Sequence, residues 1–300
     1  MSSTLATLVR NAVYGLLMGA ADIIPGVSGG TMALIVGIYE RLVRAISTAV
    51  SMGLSLLRLD VDAARTHWAA MPWALVLPLA GGIGLAIGVG AHLIPTLMAA
   101  YPAQMQGLFL GLVAASLLIP ARRMRRVTGS HIGLGLGAAL LAFYLTGLPI
   151  LETTDPSLLR IFLSAAVAIC AMILPGVSGA FLLKALGMYE LTLAALKALE
   201  ASYVLTFVAG AAVGLGAFAK LLDWLLTHRH DATMAVLIGL IAGALRSLWP
   251  YVGPNRTLQL PAPGDPIVSV IALTLVGFGA VLGLVWWEHR TAANPVSSTP

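Results

Sequence analysis

Six stretches of this chain, Trp73 to Met98, Gln106 to Pro120, Ile132 to Ile150, Tyr203 to Thr227, Met234 to Trp249 and Ile267 to Trp287, are apolar nearly throughout. Each approaches the roughly 20 residues that a helix needs to cross the hydrocarbon core of a bilayer. A segment in hydrocarbon must satisfy its own backbone, which leaves helices or a closed barrel, and runs of this length select helices. Composition agrees, with 59% of 300 residues hydrophobic, 10% charged and a mean hydropathy of +0.95. A water-soluble fold, with its usual share of about 25% charged residues, is excluded. The expectation is an all-α polytopic membrane protein. Its net charge of +5 sits in short loops between apolar runs, where basic residues mark topology, so no nucleic-acid partner is expected. Cys170 is the single cysteine, which rules out a disulfide framework or a thiolate cluster. The histidines are scattered, and there is no P-loop, Gly-x-Ser-x-Gly elbow or His-Glu-x-x-His pair. Neither a cofactor nor a metal is expected.

One apolar segment type occurs twice. Ala20 to Glu40 and Cys170 to Glu190 agree at ten of twenty-one positions at an offset of 150, sharing Pro-Gly-Val-Ser-Gly and a Gly-x-Tyr-Glu ending. A second register, at an offset of 128, pairs Gly82, Gly88, Gly111 and Leu112 with Gly210, Gly216, Gly239 and Leu240. The residues that separate the two registers fall in Ser51 to Trp68, where charges spaced among leucines read as an interfacial helix or loop. The apolar start of the chain looks like a secretory signal. Because the same segment recurs deep in the chain, it is expected to be retained.

Pro-Gly-Val-Ser-Gly cannot continue a helix, since proline lacks the amide donor and two glycines lower helical propensity. Irregular backbone at membrane depth is tolerated where protein or a water-filled cavity satisfies it, and paired interruptions in two halves point to a transport site. The alternative is a kinked helix whose glycines admit a close neighbour. If each break is the tip of a re-entrant hairpin, each half makes three crossings and the second repeat is inverted. Eleven basic residues then lie on one side and three, Arg160, Lys197 and Arg256, on the other; if the breaks cross, the count is ten against four. Both satisfy the excess of basic residues inside, and the re-entrant arrangement is the expectation. It gives a first repeat over 1–150, with a hairpin at about 8–50, an interfacial segment at 51–68 and spans at 73–98, 106–120 and 132–150. The second covers 158–290, with a hairpin at about 158–198, spans at 203–227, 234–249 and 267–287, and a cytoplasmic tail at 291–300. Both termini are then cytoplasmic.

After each proline a new half-helix begins, whose free amides and positive dipole end favour an anion. Ser28 and Ser178 stand at N-cap positions, where a hydroxyl caps its own helix or is offered to a ligand. Two such starts near the midplane would cradle a phosphate or a carboxylate, and spacing does not choose between them. The halves differ where Asp22, Thr31 and Leu34 correspond to Met172, Phe181 and Lys184. Lys184, about 9 Å along the helix from Ser178 and inside a hydrocarbon half-thickness of about 15 Å, is expected to pair with Asp22 or a bound anion. Glu40 and Glu190, roughly 18 Å beyond the serines, lie near the interface as helix-end anchors or proton carriers. Arg246 and Lys220, near span ends, can snorkel.

The run Ala-Asp-Ile-Ile-Pro-Gly-Val-Ser-Gly-Gly-Thr within Gly19 to Glu40, with its echo at Ala171 to Glu190, resembles the PopT-like family of undecaprenyl-phosphate translocases, formerly a domain of unknown function. The resemblance implies a multi-pass protein of the bacterial cytoplasmic (inner) membrane and no enzyme. Such a flippase returns the polyprenyl-phosphate carrier, undecaprenyl phosphate, from the outer to the inner leaflet for peptidoglycan and other cell-envelope synthesis. By it Asp22, Pro25, Gly26, Ser28, Gly29 and Thr31, with Pro175, Gly176, Ser178 and Gly179, would bind the substrate, and Gly30 and Lys184 are added to these candidates from their place on the same half-helices. Asp22, Glu40 or Glu190 would handle a coupling ion, proton or sodium. Undecaprenyl-diphosphate phosphatases share a Pro-Gly-x-Ser start but follow it with an arginine and a second serine. Gly29 and Gly30 stand at those positions here and no Glu-x-x-x-Glu pair is present, so hydrolysis lacks its residues. A carrier of another small anion is the remaining alternative.

Overall fold

The computed structural model describes residues 2–24, 27–148, 153–253 and 256–293, and these are helical almost throughout. The first half contains α1 (Ser2–Ile23), α2 (Gly29–Ile35), α3 (Tyr39–Leu57), α4 (Val61–Ala70), α5 (Trp73–Ala100), α6 (Pro102–Ser116), α7 (Leu118–Arg123) and α8 (Gly129–Thr146). The second contains α9 (Leu158–Ile173), α10 (Gly179–Ala185), α11 (Tyr189–Lys197), α12 (Ala201–His228), α13 (His230–Ala244) with a 3-10 turn over Leu245–Leu248, and α14 (Ile267–Ala293). Among the described residues there is no strand, only an isolated bridge between Val252 and Leu258. Among the described residues six helical segments are long and apolar enough to cross a bilayer, and they coincide with the six apolar runs.

Both breaks interrupt the helix where proline and glycine demand it. The short helices α2 and α10 follow them, and Gly37 (φ 76°) and Gly187 (φ 70°) then turn the chain in the left-handed region that glycine adopts without a Cβ clash. Between α10 and α11 the direction changes by 102°. The segment Ser51–Trp68 is divided rather than separate. α3 continues through Ser51 to Leu57, and Asp60 then caps α4 by accepting the Ala63 amide at 3.0 Å. Leu57, Leu59 and Trp68 stay exposed there.

Close approach through small residues organises the packing, as it must where lipid is as apolar as leucine and burial alone does not drive helices together. α1 lies along α5 and α9 along α12. A Cβ at Gly82 would strike the Ala12 carbonyl and one at Gly210 the Phe162 carbonyl. These are one contact seen twice: Ala12 and Phe162 belong to the 150-residue register, Gly82 and Gly210 to the 128-residue register. The remaining spans exchange partners between halves, α6 packing on α14 and α13 on α8. Gly111 there meets the Thr274 carbonyl and Gly239 the Gly135 carbonyl. The largest buried cluster, with Leu34, Tyr39, Leu75, Leu237 and Ile241, surrounds α2.

Candidate functional site at the junction of the two breaks

Ser28, extended at φ −128° and ψ 139°, starts α2. Its Oγ accepts the Gly30 amide at 3.1 Å and donates to the Met172 carbonyl, at the end of α9, at 3.1 Å. Asp22 folds back over the same helix start, and its Oδ1 accepts the Gly29 amide at 2.6 Å, a short charge-assisted bond at the positive end of the helix. Gly29 makes this possible, because a Cβ would lie 2.6 Å from the carboxylate. The Thr31 and Met32 amides turn to the Ser28 carbonyl. The donors that the sequence offers to an anion are therefore held by the protein itself, the foremost by its own carboxylate.

The second break meets the first directly. Gly176, at φ 86°, donates its amide to Thr31 Oγ1 at 2.8 Å. Gly30 rests on the Ile173 carbonyl, where a Cβ would sit at 2.6 Å. Ser178 caps α10 by accepting the Phe181 amide at 3.4 Å, and Gly179 packs on the Ala168 carbonyl and the Met172 side chain. Pro175 is buried beside them. Ser28, Thr31 and Ser178 are only 2%, 1% and 8% exposed, so their hydroxyls must be paired within the protein. The structure thus brings Ser28, Gly30 and Thr31 against Met172, Ile173 and Gly176, with Asp22 and Gly29 bonded to each other beside them and Ser178 and Gly179 at the start of α10. Pro25 and Gly26 lie outside the described residues.

Lys184 stands apart from this junction. It is exposed in the last turn of α10, with its ammonium 5.9 Å from the Tyr189 ring centre, and among the described residues no ion pair joins it to Asp22. Its counterpart Leu34 is fully buried. The difference follows from packing: α2 is enclosed by α3, α6, α9 and α14, whereas α10 contacts α9 and α11 and keeps an open face. Glu40 and Glu190 also diverge. Glu40 is ion-paired with Arg123 at 3.3 Å and Arg44 at 3.8 Å and lies 3.5 Å from the His230 ring nitrogen, while Glu190 is exposed and has no ion pair among the described residues.

Two features escaped sequence reasoning. Asn11, 1% exposed, donates to the Ala74 carbonyl at 2.7 Å and ties α1 to α5; a lone amide in an apolar run was its only signal. Arg246 and Arg256 come together beyond α13, where a span-end arginine and a loop arginine carried no sign of acting jointly.

Fold and junction define a polytopic helical membrane protein whose related halves each carry a break, the two meeting in one buried polar junction. The chain belongs to the VCA0040-like, undecaprenyl phosphate translocase-like family, which it matches over residues 18–261, a range that contains both breaks. It is similar to the polyprenyl-phosphate transporter of Vibrio cholerae serotype O1, 36% identical over 238 residues that cover 79% of this chain and 76% of that protein. It is also similar to the polyprenyl-phosphate transporter of Staphylococcus aureus, 27% identical over 289 residues, with coverage of 88% and 95%. No solved structure matches. The family and these relatives are described as translocase-like and as transporters, not as enzymes.

Proposed function

We propose that the chain moves undecaprenyl phosphate from the outer to the inner leaflet of the bacterial cytoplasmic membrane, so that the carrier serves again in envelope synthesis. The observation that carries this reading is the junction, where hydroxyls and backbone amides from both breaks are gathered in one place in an otherwise apolar fold. A lipid phosphate needs a polar passage for its head alone, while its tail remains in hydrocarbon. An apolar groove of about 360 Å³ between α8 and α13, lined by Gly135, Leu136, Ala139, Ile238, Gly239 and Ala242, suits part of such a tail.

Two inverted repeats with re-entrant breaks and cytoplasmic termini frame this passage. The equivalent contacts of α1 with α5 and α9 with α12, the exchange of α6 and α13 between halves, and the 102° turn after α10 support that arrangement. Movement of one repeat against the other would expose the junction alternately. Asp22 is the anion already resident at α2. Phosphate competes with it for the first amides of that helix, and a proton taken up by Asp22 weakens its hold on them, which makes the proton the coupling ion.

The test is leaflet exchange in proteoliposomes, with undecaprenyl phosphate placed in one leaflet and its appearance in the other followed together with free phosphate. Exchange without phosphate release is expected, slowed about tenfold or more in the Ser28→Ala, Ser178→Ala double variant, which loses two buried hydroxyls and their three hydrogen bonds. Release of phosphate from undecaprenyl diphosphate would replace this reading with an enzyme. Passage of inorganic phosphate in place of the lipid would make the protein a small-anion carrier.

A further inference from the structure

The far end of α13 carries two guanidinium groups that no carboxylate neutralises among the described residues. Arg246 Nη1 donates to the Phe143 carbonyl at 3.2 Å and Nη2 to the Arg256 carbonyl at 3.1 Å, and its guanidinium lies 4.5 Å from the Phe143 ring centre. Gly147 leaves the room for it, since a Cβ there would collide with the guanidinium. Arg256, whose backbone is held in the left-handed region at φ 59°, donates to the Thr146 carbonyl at 3.1 Å and covers the Phe181 ring at 4.3 Å. Neither is in an ion pair among the described residues. By contrast, Arg44 and Arg123 near the start of α13 share Glu40.

Holding two cations side by side, partly out of water, is unfavourable without an anion. Burial, and then the charge of Arg246, push the Arg256 guanidinium below its ordinary value. Arg246 Nε is buried with no hydrogen-bond partner, a donor left over in a place where such groups are ordinarily satisfied. Two planar guanidinium groups suit a tetrahedral oxyanion, whose oxygens accept paired N–H bonds.

Place and connection narrow the anion. The carboxylate of Asp231, at the start of α13, accepts the Arg125 and Arg126 amides at 2.9 and 3.1 Å, so the arginine-rich loop sits at that end of the span. Arg246 is near the other end of a 19-residue segment, about 22 Å away, on the face that basic residues avoid and that the inside rule makes external. Phe181, under Arg256, is the residue whose amide Ser178 caps. The pair therefore stands one side chain away from the junction.

We propose that Arg246 and Arg256 form an external receiving station for a lipid phosphate monoester, which binds its headgroup before it passes over Phe181 to the junction. This rests on the transport of a polyprenyl phosphate argued above. The test titrates the purified full chain in detergent, by calorimetry, with a short-chain prenyl monophosphate, the matching prenyl alcohol and inorganic phosphate. The monophosphate is expected to bind the unaltered protein. Arg256→Lys, which keeps the charge but loses the fork, is expected to weaken it about tenfold, and Arg246→Gln with Arg256→Gln about a hundredfold or more. Affinity for the alcohol should not change, and Arg65→Gln, which removes an exposed charge elsewhere, should have no effect. Equal monophosphate affinity in the arginine variants overturns the station and leaves the transport reading intact, whereas an unaltered protein that binds no prenyl monophosphate removes both. Equal losses for the alcohol would assign the arginines a structural role and overturn the station. Inorganic phosphate bound as tightly as the lipid, with the same arginine dependence, overturns the lipid assignment in favour of free phosphate. If the double variant does not fold, Arg256→Lys decides alone.

Discussion

In the transport reading proposed above, Asp22 occupies the position where the phosphate finds its donors, and its charge is expected to govern the junction. Asp22→Asn preserves the shape but exchanges a charge-assisted bond for a neutral one, roughly half as strong. Leaflet exchange by this variant is expected to fall about tenfold or more and to lose its response to an imposed pH gradient; an undiminished response would remove Asp22 as the proton carrier. Gly30 answers to sterics. Its added Cβ would meet backbone, the Ile173 carbonyl at 2.6 Å, and backbone cannot swing aside as a side-chain tip can. Gly30→Ala is therefore expected to separate the two breaks at a cost of about 1–3 kcal/mol, read as a lower melting temperature in detergent. Thr31→Val strips the acceptor from the buried Gly176 amide, an orphaned donor worth about 1–3 kcal/mol. Thr31→Ser, which keeps the oxygen, should recover most of that loss in the same melt.

The two Gly-x-Tyr-Glu endings show how matching segments acquire different duties once helices surround them. Glu40, its side chain 28% exposed, binds α3 to α7 and α13 through Arg123 and His230. Glu190, at the same place on α11, extends from the surface. Partly exposed ion pairs contribute about 1 kcal/mol or less and weaken with salt. Glu40→Gln should thus lower stability by about that amount at low ionic strength and less at high ionic strength, while Glu190→Gln should leave the melt unchanged. Equal effects would contradict the anchoring role of Glu40. The pair Leu34 and Lys184 follows the same logic. A lysine is tolerated on α10 because that helix keeps an open face, and it would be costly on the enclosed α2.

Across the whole molecule, the arrangement of the halves sets which face each loop occupies. In a Cys170→Ala background, a cysteine replacing Asp265, in the connection before α14, is expected to react with an impermeant thiol reagent on intact cells. One replacing Thr128, beside the arginine-rich loop, should react only after the membrane is opened. Labelling of both from outside would overturn the orientation. The exchange of α6 and α13 between halves also means that neither half buries its own spans alone, so a cut between α8 and α9 is not expected to yield two independent units.

Much of this architecture was legible in the residues. Six spans, two breaks and the kinship of the halves follow from run lengths, Pro-Gly interruptions and two offsets. Hydrocarbon forces each crossing to satisfy its hydrogen bonds within itself, and this makes those features local. That the breaks meet was legible as well, through their repetition, though the start of α2 meets Met172, Ile173 and Gly176 where a second helix start was expected. What only the tertiary structure decided is who faces whom. Ser28 reaches across to Met172 while Ser178 caps its own helix. Asp22 holds Gly29 instead of Lys184, and Arg246 reaches the carbonyl of Arg256, 10 residues away, while both donate to carbonyls at the end of α8. Those choices depend on partners drawn from distant parts of the chain, α2 against α9 and α13 against α8. Local periodicity, which records how much of a helix is apolar, carries no mark of the neighbour that its polar residues will meet.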